Sequence, residues 1–581
     1  MTMDLNNVLD VLSAEINAQF AVAGTLVLLL SSVWLWYICS YKDERAVGYN
    51  VHGSSSIQCY CPANGAFLGR VNPATFDGID RAIVKAQEAQ VAWSKTSFSE
   101  RRRVLKTLLQ YVLENQETIA IAACLDSGKT KIDASLGEIL VTVEKLKWMI
   151  NHGEKALLPE KRPTSFLMMY KVNEVLWEPL GVVAALVSWN YPFHNLIGPI
   201  ISSIFAGNGI VVKVSENTAW SSQFFASIVR GALTACGHSE KLVQVLTCWP
   251  SVASHLTSHP GISHITFIGS QPVAHSVCTS AAKSLTPVCA ELGGKDPSIV
   301  LDDVKDIKRI SSILMRGVFQ SAGQNCIGIE RVIALPGVYQ KIIDLVQTRI
   351  QNLRSGSIID VGEGEDIDMG AMISASNFDN LETLIAEAVS QGARLLAGGK
   401  RYNHPKHPKG HYFQPTLLVN VTSSMRIAQN EVFGPVFLLM PAKSVNNAIS
   451  IANSTPFALG ASVFGSSTSH LNKVVRELRA GMIAVNDFAV YYAVQLPFGG
   501  ASGSGYGRFA GEEGLRSVCN TKAVCRDRLP SLVKTSIPGR LDYPIQHINK
   551  GWEMCTGVVE LGYGMSITKQ AQGLWKIITN G

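Results

Sequence analysis

Five short segments hold residues whose types suit covalent and acid–base chemistry. The first is Gly323-Gln324-Asn325-Cys326. A cysteine after a glycine and two small polar residues is a candidate nucleophile, because thiolate is the strongest side-chain nucleophile near neutral pH. The second is Glu291-Leu292-Gly293-Gly294-Lys295. A carboxylate followed by paired glycines sits on permissive backbone and can take the thiol proton or activate a water. The third is Ser188-Trp189-Asn190-Tyr191-Pro192, directly after the apolar run Val182–Val187. At such a strand end, Asn190 can point an amide N–H at a developing oxyanion, a contribution of about 3 kcal/mol in model systems. Lys213-Val214-Ser215-Glu216 follows a second apolar run. A lysine and a carboxylate there suit the two hydroxyls of an adenosine ribose, as in other dinucleotide sites. In Glu431-Val432-Phe433-Gly434-Pro435, Glu431 suits the second ribose of such a cofactor and Phe433 the flank of its ring. Taken singly each segment is weak, since most cysteines are inert core residues and a Glu-Leu-Gly-Gly run is equally a surface turn.

The elements that must position these residues are legible from periodicity. Short apolar runs at Gly181–Val187, Gly209–Val212, His264–Ile268 and Ser298–Leu301 alternate with helical stretches. Runs apolar on both faces predict parallel sheets in an α/β fold. Apolar residues at three- and four-residue steps predict helices over 80–90 and 100–121. A second block of the same character runs from about 310 to 488. Beyond Lys522, prolines 530, 538 and 544 lead into a tail where Leu561, Met565, Leu574, Trp575 and Ile578 predict one amphipathic helix.

Composition bounds the alternatives. The 581 residues are 47% hydrophobic and 17% charged, so the chain can bury more than one large core. A net charge of +6 with no dense basic block does not suggest nucleic-acid binding. The 12 cysteines are scattered without zinc-ligand spacing, which fits reduced thiols in a cytosol-facing domain and no metal site. Residues 20–41 carry no charge. At a rise of about 1.5 Å each, such a stretch matches a hydrocarbon core of about 30 Å. Lys42 and Arg45 follow it, which predicts a single-pass membrane protein, in the endoplasmic reticulum, with its main domain facing the cytosol.

Together the motifs SWNYP, KVSE, TFIGS, ELGGK, GQNC, EVFGP and PFGG, in this order, resemble the aldehyde dehydrogenase superfamily over about residues 55 to 525. DSGKTKIDA and GRFAGEEGL make the chain similar to a membrane-anchored, fungal meiotic sister chromatid recombination protein-like group with plant relatives. The resemblance implies an α/β fold with a Rossmann-like cofactor domain, a catalytic α/β domain and a small β bridging element. The expected boundaries are an N-terminal tail (1–19), a transmembrane helix (20–41), a cofactor domain (50–287, bridging strands near 163–178) and a catalytic domain (288–500). A return to the cofactor domain (501–530) and a C-terminal tail (531–581) complete the chain.

The resemblance further implies catalysis by Cys326, Glu291 and Asn190, with Glu512 as a proton relay. Trp189, Lys213, Glu216, Gly269, Ser270, Glu431 and Phe433 would bind the cofactor. A carboxylate at Glu216 disfavours a 2′-phosphate, so NAD is expected over NADP. The implied activity is NAD-dependent oxidation of an apolar, medium- or long-chain aldehyde through a thiohemiacetal and a thioester, by a homodimer. The alternative is a catalytically silent scaffold at a membrane. It is motivated by Thr247–Ala253, where many relatives carry a glycine pair beneath the pyrophosphate and this chain carries Trp249 instead.

Overall fold

β-branched runs with little polar content form the strands. Val182–Leu186, Gly209–Val214, Val243–Thr247, Ile265–Ile268 and Val288–Glu291 pair in parallel. Nearly every side chain in the first two is buried, because helices cover both faces. The computed structural model describes residues 56–361, 366–488 and 492–581, and it divides into two units. One comprises residues up to Glu154 together with Pro179–Val518; the other comprises Lys155–Glu178 with Cys519–Gly581.

In the larger unit the strand order is Gly505–Tyr506, Val288–Glu291, Ile265–Ile268, Val182–Leu186, Gly209–Val214, Val243–Thr247. The chain starts in the middle, winds to one edge, then returns to the other side of Val182–Leu186. That reversal is a topological switch point, where open α/β sheets bind ligands at their carboxyl ends. Gly505–Tyr506 closes the edge antiparallel to Val288–Glu291. A second sheet of seven strands begins at Pro297–Val300 and includes Arg331–Ala334, Val436–Pro441, Gly460–Phe464 and Met482–Val485. Its apolar core takes in Ile299, Val332, Ile333, Phe437 and Phe464. The changeover between the two sheets thus falls between Glu291 and Pro297.

The helical expectations need two corrections. The stretch 100–121 is not one helix: Phe98–Glu114 ends and Gln116–Ser127 begins at Asn115. Asn115 leaves helical geometry at φ −118° and ψ 27°, and its side-chain amide donates to the Tyr111 carbonyl at 2.9 Å. Asparagine competes for backbone hydrogen bonds in this way, which is why it interrupts helices. The tail forms two helices rather than one, Ile548–Tyr563 and Ile567–Asn580. Gly564 leaves the first, and Ser566 caps the second by accepting from the Lys569 N–H at 3.3 Å.

In the smaller unit, Glu160–Arg162, Lys171–Pro179 and Cys519–Asp527 form a three-stranded sheet with Cys519–Asp527 at one edge. An ion pair between Lys171 and Asp527 at 2.5 Å ties its two long strands. The expectation of a single-pass protein of the endoplasmic reticulum is corrected here. Among the described residues no helix is long and apolar enough to cross a membrane. The stretch 20–41, on which that expectation rested, lies outside them.

Candidate active site

The nucleophile loop begins where the helix Ile307–Phe319 stops. Ser321 and Ala322 adopt left-handed backbone (φ 54° and 56°), followed by Gly323 at φ 74°. Left-handed geometry costs a non-glycine residue about 1–2 kcal/mol, so neighbouring groups must hold the turn. Asp133 does so: its carboxylate accepts from the Ser321 N–H at 3.1 Å and pairs with Arg316 at 2.9 Å. A β-carbon on Gly323 would collide with the Gly434 carbonyl, so only glycine lets the loop pass the Glu431–Pro435 segment. Cys326 emerges from this turn into a cavity that is partly open to solvent.

Glu291 reaches the same cavity from the end of the Val288–Glu291 strand. It is buried, with the Cys326 thiol within hydrogen-bonding reach. Burial pushes its carboxyl up to about 7, while hydrogen bonds from Cys326 and the Gly293 backbone pull the other way. The Cys326 thiol, partly exposed to the cavity, stands well above its ordinary range, first because the surrounding protein strips it of water and next because Glu291 is negative beside it. Glu291 Oε1 has no hydrogen-bond partner. A carboxyl poised near neutrality thus faces a protonated thiol, an arrangement suited to general-base activation of a nucleophile.

Asn190 is placed by a buried network. Lys129 donates to Glu138 at 2.6 Å and to the Asn190 carbonyl at 2.7 Å. The other Glu138 oxygen accepts the Phe193 and His194 N–H groups at 3.1 and 2.8 Å. Those are first-turn amides of the helix Pro192–Ala206, where a carboxylate also complements the helix dipole. The Asn190 side chain accepts from Ser188 at 2.7 Å and donates one N–H to the Gln324 carbonyl at 3.1 Å. It therefore braces the nucleophile loop from behind, and it is not among the cavity-lining residues. Asn325 does line the cavity, with a buried Nδ2 lacking a partner. Its position beside Cys326 was visible in the sequence, but the direction of its amide was not.

On the cofactor side, Lys213 pairs with Glu216 at 3.1 Å at the carboxyl end of the Gly209–Val214 strand. Trp189 and Phe433 meet edge to face, ring centroids 5.6 Å apart. Glu431 is pushed up to about 8 by burial and by Glu330, and it accepts from the Gly294 N–H at 3.2 Å. Glu330, which no motif reading had marked, is bound by Lys295 at 2.6 Å and receives the Val432 and Phe433 N–H groups. Gly269 follows the strand Ile265–Ile268, and the exposed Ser270 stands at the start of the next helix without a side-chain capping bond.

The aldehyde dehydrogenase family profile matches residues 50–524. An aldehyde dehydrogenase-like protein of Saccharomyces cerevisiae is 52% identical over 551 residues, covering 93% of this chain and 85% of its own. One from Schizosaccharomyces pombe is 54% identical over 525 residues, covering 90% of this chain and 99% of its own. The chain belongs to the aldehyde dehydrogenase family. Among solved structures, a Mycobacterium tuberculosis aldehyde dehydrogenase complexed with NAD+ is 30% identical, with a TM-score of 0.75 over 81% of this chain and 94% of that one.

The residues of this aldehyde dehydrogenase fit a nicotinamide dinucleotide at the switch point. Lys213 lies at the carboxyl end of its parallel strand, and Glu216, Trp189, Gly269 and Ser270 follow such ends. The segment Thr247–Ala253 departs from that pattern. The helix Pro250–Thr257 starts on a proline, which has no N–H, and the Val252 and Ala253 N–H groups return to the Trp249 carbonyl. Fewer backbone donors are left for a pyrophosphate. Trp249 stays 41% exposed at the helix start.

Glu512, expected as a proton relay, does not line the cavity. It is half exposed and pairs with Arg516 at 3.6 Å, one turn along the helix Gly511–Arg516. The residues of this segment that reach the cavity are Phe509 and Ala510, so the acid has turned outward.

Proposed function

We propose that this aldehyde dehydrogenase oxidises an aliphatic aldehyde to the carboxylic acid, with NAD preferred over NADP. The observation that carries the reading is Cys326 and Glu291 facing one another in one cavity. Glu291 takes the thiol proton, and the Cys326 sulfur adds to the aldehyde carbon. The resulting alkoxide is stabilised by the Asn325 amide, whose Nδ2 lines the cavity without a partner, while Asn190 holds the loop in place through Gln324. When bound, the nicotinamide supplies the acceptor for the hydride that leaves the thiohemiacetal carbon. Glu291 releases the thiol proton to solvent and then draws a proton from water; the hydroxide oxygen displaces the Cys326 thiolate from the thioester, and Glu291 returns its proton to that sulfur. Lys213 and Glu216 would hold the adenosine ribose, Gly269 and Ser270 would approach the pyrophosphate, and Glu431 with Phe433 and Trp189 would flank the nicotinamide end.

The substrate reading rests on the cavity itself. Val141, Ile268, Ile327, Val494, Phe498 and Phe509 supply apolar walls that suit an aliphatic chain. Pairing of two chains through the Cys519–Asp527 edge would make a homodimer. A hydrolysing base beside the nucleophile favours this enzyme over a silent scaffold. Purified protein with NAD and a series of aldehydes should form NADH, and Cys326→Ala should lower kcat by at least about a thousandfold. A folded protein that neither binds NAD nor forms NADH would reject the reading.

A further inference from the structure

Among the cavity-lining residues, Lys145 has no part in the chemistry above. Gly137, Val141 and Lys145 recur at four-residue steps, so one helical face lines the cavity. Lys145 is 6% exposed. Its ammonium carries three N–H bonds, and one hydrogen bond is recorded, to the Phe509 carbonyl at 3.2 Å. Burial brings its pKa down to about 8, with no carboxylate pulling it back up, so it stays mostly charged at neutral pH. Its neighbour His194 is held neutral by burial, at about 3, with Nδ1 on the Thr142 hydroxyl at 3.1 Å. Gly198 faces the ammonium without a side chain, since even a β-carbon there would come to 3.7 Å of Nζ.

A buried cation facing apolar walls is costly unless an opposite charge joins it. The cavity gives that charge a place to arrive from. We propose that Lys145 is a substrate-binding residue that selects aldehydes carrying a carboxylate at the far end of an aliphatic chain. Such ω-oxo acids fit the apolar walls along their length and the ammonium at one end. The inference rests on the aldehyde-oxidation reading and narrows its substrate class. The reaction balance is unchanged: the aldehyde carbon loses hydride and gains an oxygen from water, the remote carboxylate is untouched, and the product is a dicarboxylate.

Matched pairs test it, 6-oxohexanoate against hexanal together with shorter and longer homologues, with NADH as the readout. The wild-type chain should favour the oxo acid by about tenfold or more in kcat/KM, carried mainly by KM. Lys145→Gln should lower the ratio of oxo acid to alkanal by about 10- to 100-fold, and Lys145→Arg should restore part of it. A merely structural lysine would not move that ratio. A wild type that prefers alkanals at every length overturns the inference and leaves aldehyde oxidation standing, as does a ratio unmoved by Lys145→Gln. If neither class yields NADH, aldehyde oxidation fails as well.

Discussion

Cys326 and Glu291 divide one problem between them. Burial keeps the thiol protonated and raises the carboxyl to about 7, so the pair has a proton to move and a base able to accept it. Under the proposed chemistry, a Glu291 carboxyl raised to about 7 is silent as a base below that pH and active above it. The rate of kcat/KM should climb as pH passes through about 7. Glu291→Gln should remove that ascending limb and leave at most a burst near one NADH per site, because the thioester then lacks its hydrolysing base. A pH–rate profile with rapid-quench or stopped-flow NADH detection reads both effects. An unchanged steady state in Glu291→Gln would assign the base elsewhere.

Elements hold the site through buried polar struts. The Lys129–Glu138 pair joins the segment after the helix Gln116–Ser127 to the start of the helix Pro192–Ala206. Both side chains are almost fully buried. Removing one partner strands the other charge, which typically costs about 3–5 kcal/mol. Lys129→Met should therefore lower the unfolding free energy by that order in a denaturant titration. It should also lower kcat, because Asn190 and the Gln324 carbonyl it braces would lose their fixed position. A variant of native stability would show that the helix start is held by other contacts.

For the whole molecule, the open edge of Cys519–Asp527 is the feature with consequences. An exposed strand edge invites pairing with another chain. The Arg528 N–H points inward, to the Tyr170 carbonyl at 2.7 Å. By the two-residue alternation of a strand, the Ala523 N–H then faces outward. Proline at an outward edge position removes a donor without breaking the sheet. Ala523→Pro should leave the chain folded and shift a dimer towards monomer, read by light scattering across a concentration series. A wild-type chain that is monomeric at every concentration would dismiss the edge as an interface.

The motif order determined the family and the short apolar runs the parallel α/β character, because those depend on local residue type; that Cys326 and Glu291 line one cavity was decided by the fold. Chain geometry decided where side chains turn. Glu512 and Phe509 share one segment, yet the acid faces out to Arg516 and the ring faces the cavity. Asn190 and Asn325 are both plausible oxyanion donors as letters, and only packing shows that one braces the loop while the other lines the cavity. Lys145 had no motif at all, since a lysine in an amphipathic helix reads as surface until the cavity is seen beside it. Helix ends at Asn115 and Gly564 were equally hidden, being set by single hydrogen bonds and caps rather than by periodicity. Local chemistry names the reacting atoms, and long-range packing sets their directions, because a side chain's exposure depends on segments hundreds of residues away.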